Sequence, residues 1–181
     1  MSEELEFTLT LYPEPVLRKQ ADPVLAFDAK LEQTVAGMFD LMFKSKGVGL
    51  AAPQVGLKQR ILVLNPTGER RDDLVLVNPT ITARSGEDTI FDEGCLSFPG
   101  IYAEVHRPDR CTVSAFDIRG NKIEKEYSDF VSRIIQHEFD HLEGILLVDR
   151  MSPADKLQNR AALEELVENY QRRLRKASSP R

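Results

Sequence analysis

His137-Glu138-Phe139-Asp140-His141 is an H-E-x-x-H segment, the stretch of this chain richest in reactive side chains. On a helix, four residues advance about 400°, so the two imidazoles stand one turn apart and only about 40° out of line. Both can reach one ion, while Glu138 lies beside it and can move a proton to or from a bound water. A solvated helix face that happens to spell these letters is the competing reading. The position of the segment within the strongest helical pattern of the chain favours the metal.

The third ligand has several candidates. Gly144 continues the spacing H-E-x-x-H-x-x-G-x-x-H of one protease class, but Leu147 fills its last position and the remaining histidine is His106. Another protease class takes a glutamate from a later helix, where Glu164 and Glu165 stand, yet both fall on the polar face of an amphipathic pattern. Cys95, within Glu93-Gly94-Cys95-Leu96-Ser97, is the stronger candidate. Gly94 gives the backbone room to turn the thiol towards a helix, and a Cys-His-His set leaves a fourth position open for water. A lone cysteine is by default a small buried hydrophobe. That is the role expected of Cys111, in the alternating run Cys111, Val113, Ala115.

The elements that must carry these residues follow from periodicity. Alternation of Phe7, Leu9 and Leu11 predicts a first strand, closed by Tyr12-Pro13-Glu14-Pro15. Asp28 is placed to cap a helix with Leu31, Val35, Met38, Phe39 and Met42 on its apolar face, stopping at Gly47. Strands are predicted at 59–65, 74–83, 88–92, 110–118 and 122–127, divided by Gly, Pro and Asn. The H-E-x-x-H helix should run from about Ser128 to Glu143, with Val131, Ile134, Ile135 and Leu142 inward and Gly144 as terminator. A C-terminal helix, about 153–176, carries Leu157, Leu163, Leu166, Val167, Tyr170 and Leu174 on one face. Strands clustered between helices argue for an α+β fold, with mixed or antiparallel sheets packed around the central H-E-x-x-H helix.

With 181 residues and no linker or repeat, one catalytic domain spanning 1–181 is expected. Such a chain buries roughly 70% of its unfolded surface. No apolar run is long enough to span a membrane, and DNA is not an expected partner. The opening MSEELEF lacks the basic-then-apolar layout of a secretion signal, so reduced thiols are expected at Cys95 and Cys111. The net charge of −5 hides an asymmetry. Residues 171–181, QRRLRKASSPR, are basic without an acidic residue, while the body is acidic. A helix end complementing its own dipole is the plain account of that tail; contact with RNA phosphates is the sharper one.

A third segment adds a resemblance. Gly47-Val48-Gly49-Leu50-Ala51-Ala52-Pro53-Gln54, taken with EGCLS and QHEFDH, resembles the three signature segments of the peptide deformylases in order and separation. The likeness extends from about Tyr12 to Met151, and FDEGCLSFPGIYAEV is most similar to the plastid-type branch and its bacterial relatives. The resemblance implies removal of the formyl group from nascent chains that begin with formyl-methionine, releasing formate. It implies Cys95, His137 and His141 as ligands of one divalent ion, Fe(II) by family habit with zinc, nickel or cobalt accepted, and Glu138 as the acid/base. Gln54 and the backbone N–H of Leu96 would stabilise the oxyanion. Gly47, Val48, Gly49, Glu93 and Ile134 would form the substrate side, with main chain at 48 and 49 pairing as an added strand. Other branches carry an arginine near the position of Tyr102. The implied location is a bacterial cytoplasm, or an organellar stroma or matrix once a transit peptide is removed. The ribosome is the partner that the basic tail would meet. An H-E-x-x-H endopeptidase and a silent metal-stabilised binding module are the alternatives.

Overall fold

The computed structural model describes residues 5–178. Helix α1, Ala29–Lys44, begins where its capping signal lies: the Asp28 carboxylate accepts from the Leu31 N–H at 3.0 Å. Leu31, Val35, Met38, Phe39 and Met42 are all buried along one face. The helix closes with the Gly47 N–H donating to the Met42 carbonyl at 2.9 Å. The chain then enters strand β1, Gly49–Ala51, turns through a short 3-10 helix at Ala52–Val55, and returns as β2, Ile61–Leu64.

Two long strands follow, β3 at Leu74–Cys95 and β4 at Phe98–Phe116, and then β5 at Lys122–Ser128. They form one antiparallel sheet in the order β1-β2-β3-β4-β5. No mixed sheet is present among the described residues; parallel pairing is limited to an isolated bridge between Asp22 and Gln59. The segments expected as separate strands at 74–83 and 88–92 are one strand, and β4 begins well before residue 110. The breakers Asn78, Pro79 and Gly86 coincide with register shifts in the β3–β4 ladder, between Val77 and Thr80 and between Ser85 and Asp88. A bulge absorbs the irregular residue and lets pairing continue.

The predicted strand at Phe7–Leu11 is not one. That segment is extended, but its bonds go to two different places, Thr10 N–H to the Gln54 carbonyl at 2.8 Å and Tyr12 N–H to the Ser97 carbonyl at 3.0 Å. It crosses the body and follows no single ladder.

Helix α2, Asp129–Leu142, lies across the sheet, with Gly144 in the left-handed region at φ 73° just past its end. Strand β2 is buried on both sides. Leu62 and Leu64 pack with Ile134, Ile135 and Leu142 of α2, while Ile61 and Val63 pack with Val35, Met38 and Met42 of α1. Alternation sends successive side chains to opposite faces, so the sheet is held between the two helices. Each such aliphatic burial contributes about 1.5–3 kcal/mol.

The C-terminal region departs from a single helix. A short α3, Leu147–Arg150, precedes α4, Pro153–Gln158, and α5, Arg160–Ser178. The break falls at Asn159, whose side-chain amide donates to the Tyr102 carbonyl at 2.9 Å and to the Asp155 carbonyl at 3.0 Å. Leu163 and Leu166 pack against a cluster built on Phe98, Ile101 and Leu147. Leu157 and Leu174 are exposed, so the anticipated apolar stripe is only partly used. Residues 179–181 of the basic tail and MSEE at the start lie outside the described residues. Among those described, no helix is long and apolar enough to cross a membrane.

Candidate metal centre

Cys95 closes β3 at the tight turn into β4, where the ladder slips between Gly94 and Cys95. A Cβ at position 94 would sit 2.7 Å from the Tyr102 ring, so a side chain there would displace the ring. The turn delivers the thiol to α2, with Sγ 3.3 Å from His141 Nε2. Cys95 Sγ and one nitrogen each of His137 and His141 lie within 4.8 Å of one another. His137 Nδ1 faces Glu93 Oε2 at 2.9 Å, so Nε2 is the nitrogen left for the cluster. A soft thiolate with two imidazoles suits a divalent transition ion. The donor set fits such an ion. Glu164 and Glu165, the alternative ligands, stand on α5 and outside this group.

Glu138 lies buried beside the three. Among the described residues its Oε2 has no hydrogen-bond partner, and neither has His141 Nδ1. Burial raises the Glu138 carboxyl to about 7, against which the charge of His137 is too weak. Burial also disfavours a charged His137, but Cys95 and Glu93 outweigh it and hold that imidazole well above the ordinary histidine range. His141 is pushed the other way by burial, then by the charges of His137 and Arg107. An unpaired carboxyl oxygen of near-neutral pKa, facing a three-donor set, can pass a proton in either direction.

The neighbours fix this arrangement. At Gly49 a Cβ would lie 2.6 Å from Ile134 Cγ2 and 2.7 Å from Glu138 Oε1, so β1 can press onto α2 only because position 49 has no side chain. Ile134 is 4% exposed, one turn before His137, and lines a cavity of about 270 Å3 together with Val48, Phe91, Tyr102, Phe130 and Arg133. A second cavity, about 460 Å3, reaches from Ser45, Lys46 and Gly47 to Cys95 and Leu96. Tyr102 and Val48 border both.

Gln54 is fully buried. Its Oε1 accepts from the Ala51 N–H at 2.8 Å, and its Nε2 donates to Ser97 Oγ at 3.2 Å and points to Cys95 Sγ at 3.6 Å. Strand β1 is an edge of the sheet. The Val48 carbonyl is taken by the Asn65 N–H at 2.9 Å and the Ala51 N–H by Gln54, which leaves the groups of Gly49 facing the open side.

Glu93 borders the smaller cavity, but its carboxylate is taken up by neighbouring side chains. Oε1 accepts from Arg107 Nε at 2.8 Å and Arg133 Nη1 at 2.7 Å, and Oε2 accepts from Arg107 Nη2 at 3.0 Å besides His137. Burial alone would raise this carboxyl, yet the bonds from His137 and Arg107 carry it down to about 2. Expected as a substrate contact, Glu93 has its oxygens committed to a buried charge cluster. Arg107 Nη1 continues that cluster to Asp140 at 2.9 Å, and Arg150 holds Asp140 through both oxygens.

These features coincide with a sequence likeness that runs the length of the fold. A profile of the polypeptide deformylase family matches residues 7–157. The chain belongs to the peptide deformylase family. It is 45% identical over 170 residues to peptide deformylase 1B, chloroplastic/mitochondrial, of Arabidopsis thaliana, covering 93% of this chain and 62% of that relative. Peptide deformylase of Thermotoga maritima is 40% identical, with 92% of this chain and 99% of the relative covered. The chain thus spans under two thirds of the plant protein and nearly all of the bacterial one. A crystal structure of a plant peptide deformylase, PDF1B, superposes with a TM-score of 0.90 at 44% identity, over 96% of this chain and 95% of that one.

The residue pattern of this deformylase chain gave no warning of the cluster under His137. Arg107 and Arg133 are single basic letters in a strand and a helix, with no local spacing to mark them. Asp140 carried a faint signal, an acidic residue on the buried helix and inside QHEFDH.

Proposed function

We propose that the chain is a metal-dependent hydrolase that removes the N-terminal formyl group from peptides beginning with formyl-methionine, releasing formate. The observation carrying this reading is the buried, unpaired Glu138 carboxyl beside the Cys95–His137–His141 set. A divalent ion held by those three would polarise the carbonyl oxygen and make water acidic enough to react near neutral pH. Fe(II) is the proposed metal; zinc, nickel and cobalt suit the same donors.

The chain's own residues account for the rest. Glu138 accepts a proton from the attacking water and returns it to the leaving amine, so one carboxyl serves as base and then as acid. The Gln54 amide and the Leu96 N–H donate to the oxygen that gains charge, each worth on the order of 3 kcal/mol of barrier. Gln54 is pre-aimed, because Ala51 and Ser97 fix its amide. Main-chain groups of Gly49 pair with an extended substrate along the open edge of β1, the Val48 carbonyl being committed to Asn65. The cavity lined by Val48, Phe130 and Ile134 receives the methionine side chain. Confinement by main chain at Gly47 and Gly49 beside the metal set would restrict the acyl group to one as small as formyl.

Anaerobically purified, Fe(II)-loaded protein should release formate from formyl-Met-Ala-Ser and leave casein intact. Casein cleavage without formate would overturn the reading in favour of an endopeptidase, a role weakened by the position of Glu164 and Glu165 on α5, outside the ligand group. Neither activity would point to a binding module.

The ribosome is the proposed partner of the basic end of α5, where Arg172, Arg173 and Lys176 edge a groove with Leu11 and Tyr12. Phosphate contacts there would hold the enzyme near emerging chains. A bacterial cytoplasm, or an organellar stroma or matrix, is the compartment in which such substrates arise.

A further inference from the structure

Arg133 belongs to two structures at once. It stands on α2, one turn before His137, and its side chain is part of the wall of the 270 Å3 cavity between Ile134 and Phe91. Its guanidinium lies 5.5 Å from the centre of the Phe91 ring. The same side chain is almost completely removed from solvent, and both terminal nitrogens are engaged. Nη1 donates to Glu93 Oε1 at 2.7 Å and to the Val105 carbonyl at 3.1 Å. Nη2 donates to the Thr89 carbonyl at 2.8 Å and to Thr89 Oγ1 at 2.7 Å. It thereby ties α2 to both long strands and ends on the carboxylate whose other oxygen holds His137 Nδ1.

We infer that Arg133 is a positioning residue for the metal site: acting through Glu93, it sets the direction of His137, while its alkyl stem is a passive wall of the side-chain cavity. The assignment rests on the deformylase reading for its kinetic consequences and on geometry alone for its effect on the site. Arg107 grips Glu93 from β4 through two bonds. With that grip alone, Glu93 could still pivot about the Arg107 fork and carry His137 with it. Arg133 approaches from the helix that bears His137, and closes the triangle. A carboxylate held from two sides keeps the His137 tautomer and ring direction fixed, the kind of outer support whose loss typically costs 10–100-fold in metal affinity or activity.

Arg133→Met keeps an apolar stem of similar length and removes the donors; Arg133→Lys restores one. In the Co(II)-loaded protein, Arg133→Met should alter the visible absorption of the ion and weaken its retention against a chelator by about tenfold or more. With formyl-Met-Ala-Ser, kcat should fall with KM little changed, because the cavity wall survives. Arg133→Lys should recover part of both. A wild-type spectrum and chelator resistance in a folded Arg133→Met would overturn the assignment. So would a rise in KM with kcat and spectrum unmoved, which would make Arg133 a cavity wall only. Should Arg133→Met fail to fold, Arg133→Lys decides the matter: an intermediate spectrum supports the role, and an unaltered one refutes it. Absence of formate from the wild type would strike the activity reading alone, since the spectrum and chelator measurements need no substrate.

Discussion

Two regions of this molecule use the same residue types to opposite ends. Beneath His137, Glu93, Asp140, Arg107 and Arg133 are buried and joined by bonds of 2.7–3.0 Å. Along α5, Arg160 pairs with Glu164 at 2.8 Å with both side chains largely in water. The exposed pair gains little, because water competes for each charge and long side chains lose freedom. The buried cluster is a poor source of stability as well, since desolvating ions offsets most of their attraction. Its value is directional. It holds one imidazole where a ligand is needed, and what distinguishes the two regions is whether geometry is enforced.

That contrast can be broken at several strengths. Glu138→Ala, which deletes the buried carboxyl facing the metal set, should lower turnover on formyl-Met-Ala-Ser by about 10²–10⁴-fold while metal analysis shows the ion retained. Near-normal turnover would remove the assigned role. Cys95→Ala should lose the ion on dialysis, whereas Glu165→Ala should keep it; the reverse pattern would move the third ligand to α5. Glu93→Gln should lower activity by about 10–100-fold through His137.

Glu93→Gln also tests stability against pH. A carboxyl lowered from 4.5 to about 2 contributes stability that is complete above 4.5 and disappears as pH falls towards 2. Apo wild type should therefore lose more stability than Glu93→Gln on acidification through that window, by roughly 3 kcal/mol in full. Parallel melting curves for the two proteins would show that the cluster is not charged as drawn. At the weak end, Arg160→Ala should shift stability by under about 1 kcal/mol. Deleting residues 171–181 should leave tripeptide turnover unchanged while weakening ribosome association in low salt.

Local signals were the legible ones. Asp28 marked the start of α1, and the 3.6-residue period of Val131, Ile134, Ile135 and Leu142 marked α2, because capping and amphipathicity are written within a few residues of where they act. The three residues that the fold brings together were legible in part, two from a helical spacing and Cys95 as the stronger of several candidates. The continuity of β3 and β4 was not, since Pro79 and Gly86 spell a break whether or not a partner strand bridges it. Nor was the interruption at Asn159, where an amide is drawn off the helix by a carbonyl 57 residues away in sequence. Glu93 entered through the resemblance as part of the substrate side, and nothing in its neighbourhood in sequence announced the arginines that claim it, which come from β4 and α2.

The bare α-carbon at position 49 also bears on how the chain finds its pairing. Strand β2 is aliphatic on both faces, so polarity gives little reason to prefer one alignment over a neighbouring one. In the observed alignment Gly49 pairs with Leu64 and lies directly over Glu138. A shift by a single residue would bring Val48 or Leu50 to that spot, driving a branched side chain into Ile134 and the carboxyl. Steric exclusion at one atom thus disfavours the shifted alignments of this edge strand, where polarity alone would not.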